Sequence, residues 1–588
     1  MALSLEQRLN ELTPEQRELF ELFLRKERLN LNTAAKYRAP SNATEQALAG
    51  IWSELLGIEP GADDNYFELG GDSIGIIRMV SQARLQGIGL RTEWVFSNPT
   101  IAQLAALSRL QQVAAPKMER PAWEELAQQI READPEFNRF LLRSDATPTD
   151  AYPLNPSQQG LLYHTLEKPA DGYYLVQWRF RITGRLDMPR FKSAWAQLIE
   201  RHEVLRTVFQ WVGLEEPMQV VLNRADGTIH EESYQGDWQV KAEEVFEEER
   251  LTAFDLHKPP LMRIRFVRIA EDEWLCFWTH HHLILDGWSQ QILLKEFFAL
   301  YGGEQLPPTR PGLFRDHIYR LRSMDHGAAA EFWREQFRDY RPSFRQLHSK
   351  QSVVHTTIQR VIPEPNRLRE LLRHKTITLN VLYQTAWALA LTQFLGRDDV
   401  VFGMASSGRS SGSPDIENAI GLFINTLPFR FKLDCSIRFD TLLANMQSAQ
   451  AGLIEHEWCG LLSVQNWIGW DRRIPLIESL YVYERFPLDY ASLEQGEQLT
   501  VRNIETTTHE HYRLVLVVQD EGNATTVLLK HAGLNAEIAQ FCERLLDFII
   551  SISERFINTQ VLMVSDLITD YQRIRSSNTI HANATMPG

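Results

Sequence analysis

The sequence predicts a multidomain chain in which a small all-helical unit precedes a larger body mixing strands and helices. Three observations carry this expectation. At 588 residues the chain is too long for one hydrophobic core and suggests roughly three or four domains. Between about Ala39 and Leu110 the apolar residues recur at helical spacing. From Ala151 to about Arg575, strand-like β-branched and aromatic runs alternate with helical runs.

The first segment, residues 1–38, carries Leu5, Leu9, Leu12, Phe20, Phe23 and Leu24 among many charges. Thr13-Pro14 breaks it, and a proline there starts a helix well, so two short amphipathic helices are expected. They read either as a solvated leader capping the next domain or as a docking element for an upstream protein. Residues 39–110 form the helical unit: a helix over Thr44–Leu56, a Gly/Pro/Asp-rich loop over Gly57–Asn65, a helix from Ser73 to about Gln86, and a last helix after Asn98-Pro99-Thr100. Residues 111–150 are polar, with Pro116, Pro121, Pro135 and Pro148 and one helix at Trp123–Ala133. They are expected to be a linker.

In the body, strands are expected at Tyr173–Ile182, Leu261–Ile269, Trp274–Thr279, Thr356–Ile362, Val400–Ala405, Leu427–Leu433, Leu480–Glu484 and Leu514–Gln519. Helices are expected at Arg190–Arg201, Gln290–Tyr301, Ala328–Tyr340, Leu379–Leu395 and Ile538–Phe556. Gly303–Arg322 reads as a hinge between halves covering 151–322 and 323–575, with 576–588 a disordered tail.

Composition narrows the function classes. Hydrophobic residues make up 44% and charged residues 23%, as in an ordinary soluble protein. The net charge of −15 argues against a broad nucleic-acid-binding face. Cys276, Cys435, Cys459 and Cys542 are scattered, form no CxxC pair, and read as free thiols of a reducing compartment. Met1–Glu11 has no apolar signal-peptide core, and Val381–Leu395 is too short to span a bilayer. A cytoplasmic protein is expected.

Two motifs carry chemistry. In Leu69-Gly70-Gly71-Asp72-Ser73-Ile74 the glycines permit a tight turn and Ser73 lands at a helix N-terminus. Taken alone, Ser73 is an N-cap. In Thr279-His280-His281-His282-Leu283-Ile284-Leu285-Asp286-Gly287-Trp288-Ser289 an apolar strand delivers an imidazole to a turn closed by Asp-Gly, which makes His282 a candidate base on a rigid support. Neighbouring residues of a strand face opposite ways, so His281 and His282 should not share a role. A metal site is disfavoured for the same reason, and no His-Glu-x-x-His is present.

The stretch from Asp64 to Ile74 resembles the signature of a peptidyl carrier domain, and His-His-x-x-x-Asp-Gly resembles that of a condensation domain of nonribosomal peptide synthetases. Further motifs follow in the family's order: Tyr152-Pro153-Leu154-Asn155-Pro156-Ser157-Gln158-Gln159-Gly160, a weakened Phe314-Arg315-Asp316-His317-Ile318, Ile420-Gly421-Leu422-Phe423-Ile424-Asn425-Thr426-Leu427-Pro428, His456-Glu457-Trp458 and Leu480-Tyr481-Val482-Tyr483-Glu484. The resemblance implies a four-helix carrier bundle followed by a V-shaped α/β pair of chloramphenicol-acetyltransferase-like lobes. It implies 4′-phosphopantetheine on Ser73, beside Asp72 and Ile74. His282 would lie in the active-site channel, either accepting the amine's proton or stabilising the zwitterionic intermediate, with His281 in support. Asp286 would pair with a buried arginine, for which Arg206 is favoured and Arg201 is second. The N–H of Gly287 could hold a developing oxyanion.

The implied reaction is amide formation between a carrier-bound donor and an amine on a downstream carrier. The implied partners are an upstream adenylation or loading enzyme, a phosphopantetheinyl transferase and an acceptor carrier. Gly160 stands where many L-donor condensation domains carry arginine, and the run Gln158-Gln159-Gly160-Leu161-Leu162-Tyr163-His164 with Asp286-Gly287-Trp288-Ser289 resembles the subgroup taking a D-configured donor and an L-configured acceptor, while the Gly-Gly-Asp-Ser form resembles carriers that serve an epimerisation domain. A free-standing acyltransferase using soluble acceptors and an inactive carrier or docking scaffold are the alternatives. The absence of a Gly-x-Ser-x-Gly elbow and of a P-loop argues against a thioesterase or an ATP-using activation domain.

Overall fold

The computed structural model describes residues 37–71, 73–110, 123–167, 172–310, 312–341, 355–410, 415–471, 474–485, 499–508, 510–521, 524–532, 536–559 and 561–583. The amphipathic helices expected within residues 1–38 fall almost wholly outside these. The chain divides into two compact units that part between Gln112 and Val113.

The smaller unit carries helices at Ala43–Leu56, Ser73–Leu85, Thr92–Ser97 and Ile101–Leu107, with Ile88–Gly89 paired antiparallel to Arg109–Leu110. Local chemistry sets the first helix. The Asn42 side chain accepts from the Glu45 N–H at 2.9 Å, and Gly57, at φ 69°, ends the helix in the left-handed conformation. The helices close on a core of Leu48, Trp52, Tyr66, Ile76, Met79 and Leu104. Trp52 and Tyr66 meet edge to face, 5.0 Å apart.

The larger unit is built on three sheets. Pro148–Pro153, Met218–Leu222 and Thr207–Gln210 form the first, in that order. The second has the order Leu499–Thr508, Leu175–Gly184, Glu273–His281, Met262–Ala270, Ile229–Ser233. Helices Met188–Arg201 and Gly287–Gly302 supply the apolar layer beside it, with the Trp278 ring 5.6 Å from Trp195 and 5.4 Å from Phe297. The third sheet has the order His355–Val361, Thr525–Ala532, Leu514–Asp520, Ser479–Glu484, Asp399–Ser406, Asn425–Lys432, parallel at its two central pairings and antiparallel elsewhere. The helix Leu379–Leu395 is buried on almost every side within that core, which explains why apolar residues appear all round it and not on one face alone. Among the described residues no helix is long and apolar enough to cross a membrane.

Four sequence expectations are corrected. Residues 111–150 are not all linker, because helices Trp123–Ala133 and Pro135–Ser144 and the strand Pro148–Pro153 occupy the later part. Ile130, Phe137 and Leu141 bury against Val208 and Val220 of the first sheet, while the solvated outer faces make the composition look like a linker. The expected hinge Gly303–Arg322 contains the helix Leu313–Arg322, with Phe314 and Ile318 buried. The halves do not separate at residue 322, since Leu499–Thr508 pairs with Leu175–Gly184 of the second sheet. The tail is helical through Asn583, in the helix Val564–Asn583.

Candidate active site

In the smaller unit Ser73 is the first residue of a helix that runs to Leu85, with Ile74 next in it; Asp72 lies outside the described residues. The approach is tightly built. The Asn65 side chain accepts from the Phe67 N–H at 2.9 Å, and the Tyr66 N–H donates to the Pro99 carbonyl at 2.8 Å. Gly70 has φ 99°, and a Cβ on Gly71 would stand 2.2 Å from the buried Tyr66 ring. The backbone therefore reaches Ser73 along a path only glycine permits at Gly71. Ser73 thus sits at the N-terminal, positive end of a helix dipole, which favours the charge of a phosphodiester.

In the larger unit the strand Glu273–His281 lies at the centre of the five-stranded sheet and ends at the histidines. The three rings have three different partners. The Gln290 amide donates to Nε2 of buried His280 at 2.8 Å. The Leu283 N–H donates to Nδ1 of His281 at 3.1 Å, so the ring proton sits on Nε2 and goes to the Thr165 hydroxyl at 3.2 Å. That hydroxyl donates in turn to the Leu161 carbonyl at 2.8 Å. Burial, then the neighbouring His282, pushes His281 down to about 3, so it is a neutral structural ring. His282 is different. Its Nδ1 lies 2.6 Å from the Leu285 carbonyl oxygen, which can only accept; Nδ1 therefore holds the proton and Nε2 presents the lone pair. Among the described residues no group of three or more His, Cys, Asp and Glu side chains could hold a metal.

Asp286 ends the turn and caps the helix Gly287–Gly302, accepting from the Ser289 N–H at 2.8 Å. Gly287 is the first residue of that helix, where the backbone N–H has no intrahelical carbonyl to meet. The arginine beside Asp286 is Arg409, at 3.3 Å, and not Arg206 as expected. Arg206 is spent locally, donating to the carbonyls of Ile199 at 3.0 Å, Glu200 at 3.3 Å and Leu222. Arg201 pairs with Glu296 at 2.8 Å. Arg409 also donates to the Ala419 carbonyl at 3.0 Å and the Ser289 hydroxyl at 2.9 Å, and the Phe423 N–H donates to Asp286 at 2.8 Å. Sequence reasoning missed Arg409, although it is the sole Lys or Arg between Asp398 and Phe429.

Four of the five further motifs meet around this turn. Gln158, fully buried, donates to the Leu283 carbonyl at 2.9 Å, and Asn155 donates to the Leu422 carbonyl at 2.6 Å. Ser157 donates to the Asn425 side-chain oxygen at 2.9 Å, and the Asn425 amide donates to the carbonyls of Glu457 at 2.7 Å and Cys459 at 2.8 Å. The buried Glu457 carboxylate accepts from the Gly408 N–H at 3.0 Å and the Ser410 N–H at 2.6 Å. Phe314 stands 4.9 Å from Phe423. These bonds hold the His282 turn from both halves of the sequence.

The condensation-domain family matches residues 149–561, and the phosphopantetheine attachment site family matches residues 46–108. The chain belongs to the condensation-domain family. It joins a condensation domain to a preceding phosphopantetheine attachment domain. It is 34% identical over 385 residues to a linear gramicidin synthase of Brevibacillus parabrevis, covering 63% of this chain and 5% of that one. It is also 34% identical over 373 residues to chondramide synthase cmdD of Chondromyces crocatus, covering 61% of this chain and 10% of that one. The chain thus spans a small part of the length of these relatives. The condensation domain from the monacolin K polyketide synthase MokA shares the fold, with a TM-score of 0.60 and 20% identity over 71% of this chain and 100% of that one.

Proposed function

We propose that this chain presents an acyl donor on Ser73 and uses the His282 site to join it in amide linkage to an amine held by a downstream carrier. When bound to Ser73, 4′-phosphopantetheine supplies a flexible arm whose thiol carries the acyl group. Ser73 provides the hydroxyl for attachment, and the helix it opens favours the phosphodiester charge.

The single observation that carries the catalytic part is the Nδ1–H bond from His282 to the Leu285 carbonyl. It supports a role for Nε2 as the proton acceptor: as the amine nitrogen attacks the thioester carbonyl and the C–N bond forms, its proton passes to Nε2, and as the C–S bond breaks that proton goes on to the departing pantetheine sulfur. Gly287 supports the developing oxygen charge through its N–H at the helix start. Asp286, His281 and Gln158 keep the turn in place without touching the reacting atoms. Much of the rate gain comes from holding two tethered reactants in register.

The donor is D-configured and the acceptor L-configured in this proposal, on the strength of Gly160 and the Gly-Gly-Asp-Ser motif. A phosphopantetheinyl transferase modifies Ser73, an upstream adenylation or loading enzyme charges it, and a downstream carrier supplies the amine. The test has two arms. Ser73→Ala should abolish the mass gain under a phosphopantetheinyl transferase with coenzyme A. His282→Ala should remove transfer from acyl-loaded protein to a carrier-bound amine; unchanged turnover would exclude His282 from the chemistry.

A further inference from the structure

His282 is not held by its own turn alone. Its backbone N–H donates to the Tyr174 carbonyl at 2.7 Å, one step beyond the register in which Leu175 pairs with His281. Tyr174 adopts φ 63°, in the left-handed region that a bulky residue seldom enters without outside support. The support comes from a distant part of the sequence. The Tyr174 hydroxyl lies 2.5 Å from Nδ1 of His511, in the connection between the strands Leu499–Thr508 and Leu514–Asp520. Burial raises the Tyr174 phenol far above its usual range, and burial, then the neighbouring His164, holds His511 down at about 3. The phenol therefore stays protonated and the imidazole stays neutral, so the two share a hydrogen bond between uncharged partners. The His511 ring is fixed in turn by stacking on His164, 4.4 Å away, and by contact with Tyr512 at 4.0 Å.

We propose that His511 and Tyr174 are positioning residues for the condensation reaction: the Tyr174–His511 hydrogen bond holds the carbonyl that fixes the backbone of His282, and thereby the direction of its Nε2. This rests on His282 being the proton acceptor. The strand Leu499–Thr508 that crosses to the first-half sheet leads directly to His511, so the crossing delivers part of the active-site frame as well as sheet pairing. Small displacements of a reacting group are costly in rate, and a frame that acts only through His282 leaves acceptor binding alone.

The experiment compares holo-protein carrying His511→Ala, Tyr174→Phe, the double change, or His511→Asn, whose side-chain amide can accept from or donate to the phenol in place of Nδ1. Acyl transfer to a carrier-bound amine is measured with thermal unfolding alongside. His511→Ala and Tyr174→Phe should each lower kcat by about tenfold or more, with KM for the acceptor within about twofold. The double variant should be no slower than the slower single one, and His511→Asn should recover most of the rate. A kcat for His511→Ala within twofold of the parent, beside an inactive His282→Ala, would sink the clamp alone. Active His282→Ala would instead remove its foundation. Multiplying losses, or losses that track the melting temperature and are not recovered by His511→Asn, would show a scaffold role and overturn positioning.

Discussion

Arg409 and Asp286 lie 3.3 Å apart with 2% and 3% of their surfaces exposed, a charge pair sealed inside the larger unit and joining two motifs far apart in sequence. Burial lowers the Arg409 pKa and Asp286 raises it in opposition, but the guanidinium remains charged. The pair is a frame for the His282 turn, because Asp286 also caps the following helix and holds the Phe423 N–H.

Removing one member of such a pair strands the other in a dry site, at a cost of about 3–5 kcal/mol. Arg409→Ala should therefore destabilise the larger unit by that amount in urea unfolding. Arg409→Lys should recover little, since one ammonium cannot replace a fork that also reaches Ser289 and Ala419. Recovery of full stability by lysine would mean that only the charge matters. Asp286→Asn combined with Arg409→Met should cost less than the sum of the single changes.

Gly71→Ala should damage the smaller unit through packing alone. The added methyl would fall 2.2 Å from the Tyr66 ring, and that ring cannot retreat because Trp52 and Phe67 stand 5.0 Å and 5.6 Å away. Overpacking of this kind costs about 1–3 kcal/mol. The expected result is a lower melting temperature for this unit and slower attachment to Ser73, read by intact mass. An unchanged melting temperature would show that the loop before Ser73 yields easily.

Local pattern makes much of this protein legible. The helix Leu379–Leu395 is expected at its observed limits, and the strand expected at Trp274–Thr279 extends only to Glu273–His281. The helix start at Ser73 follows from the glycines before it. What escapes depends on contacts that no periodicity announces. Arg409 meets Asp286 across 123 positions of sequence, whereas Arg206 sits in a suggestive motif and satisfies only nearby carbonyls. The strand Leu499–Thr508 escapes because its polar composition, rich in threonine, lacks the apolar run that marks a buried strand. Pro135–Ser144 escapes although Phe137, Phe140 and Leu141 recur at i, i+3 and i+4, because this one short helix is set among the prolines and charges of residues 111–150.

Acid should loosen the larger unit well before carboxylates protonate. Burial, then His282, holds His281 at about 3, and burial, then Arg409 and Arg320, holds His317 at about 3. In the unfolded chain each titrates near 6.5. Between those values the unfolded state binds protons that the folded state refuses, so stability is full above about pH 6.5 and falls as pH drops toward 3. Each ring contributes about 1.4 kcal/mol per pH unit in that window. Urea midpoints taken at pH 7, 6 and 5 should decline together with ΔG, and a flat series would mean that these rings accept protons while folded.

Gly160 separates stability from specificity at one position. It lies inside the helix Pro156–Glu167, and a Cβ built there meets nothing within 4 Å. Glycine in a helix interior costs about 0.5–1 kcal/mol relative to alanine, so no packing demand explains it. Gly160→Ala should raise stability by about that amount while leaving donor preference untouched. Gly160→Arg starts its side chain in the same open space, and its unfolding is measured beside donor choice so that a change in preference is read apart from a change in stability. Paired assays with D- and L-configured donors on Ser73 should show the D-to-L ratio falling by about tenfold, the scale of a single pocket contact. A ratio unmoved by Gly160→Arg, in protein that unfolds no earlier than its parent, would detach donor configuration from this position and leave the glycine unexplained.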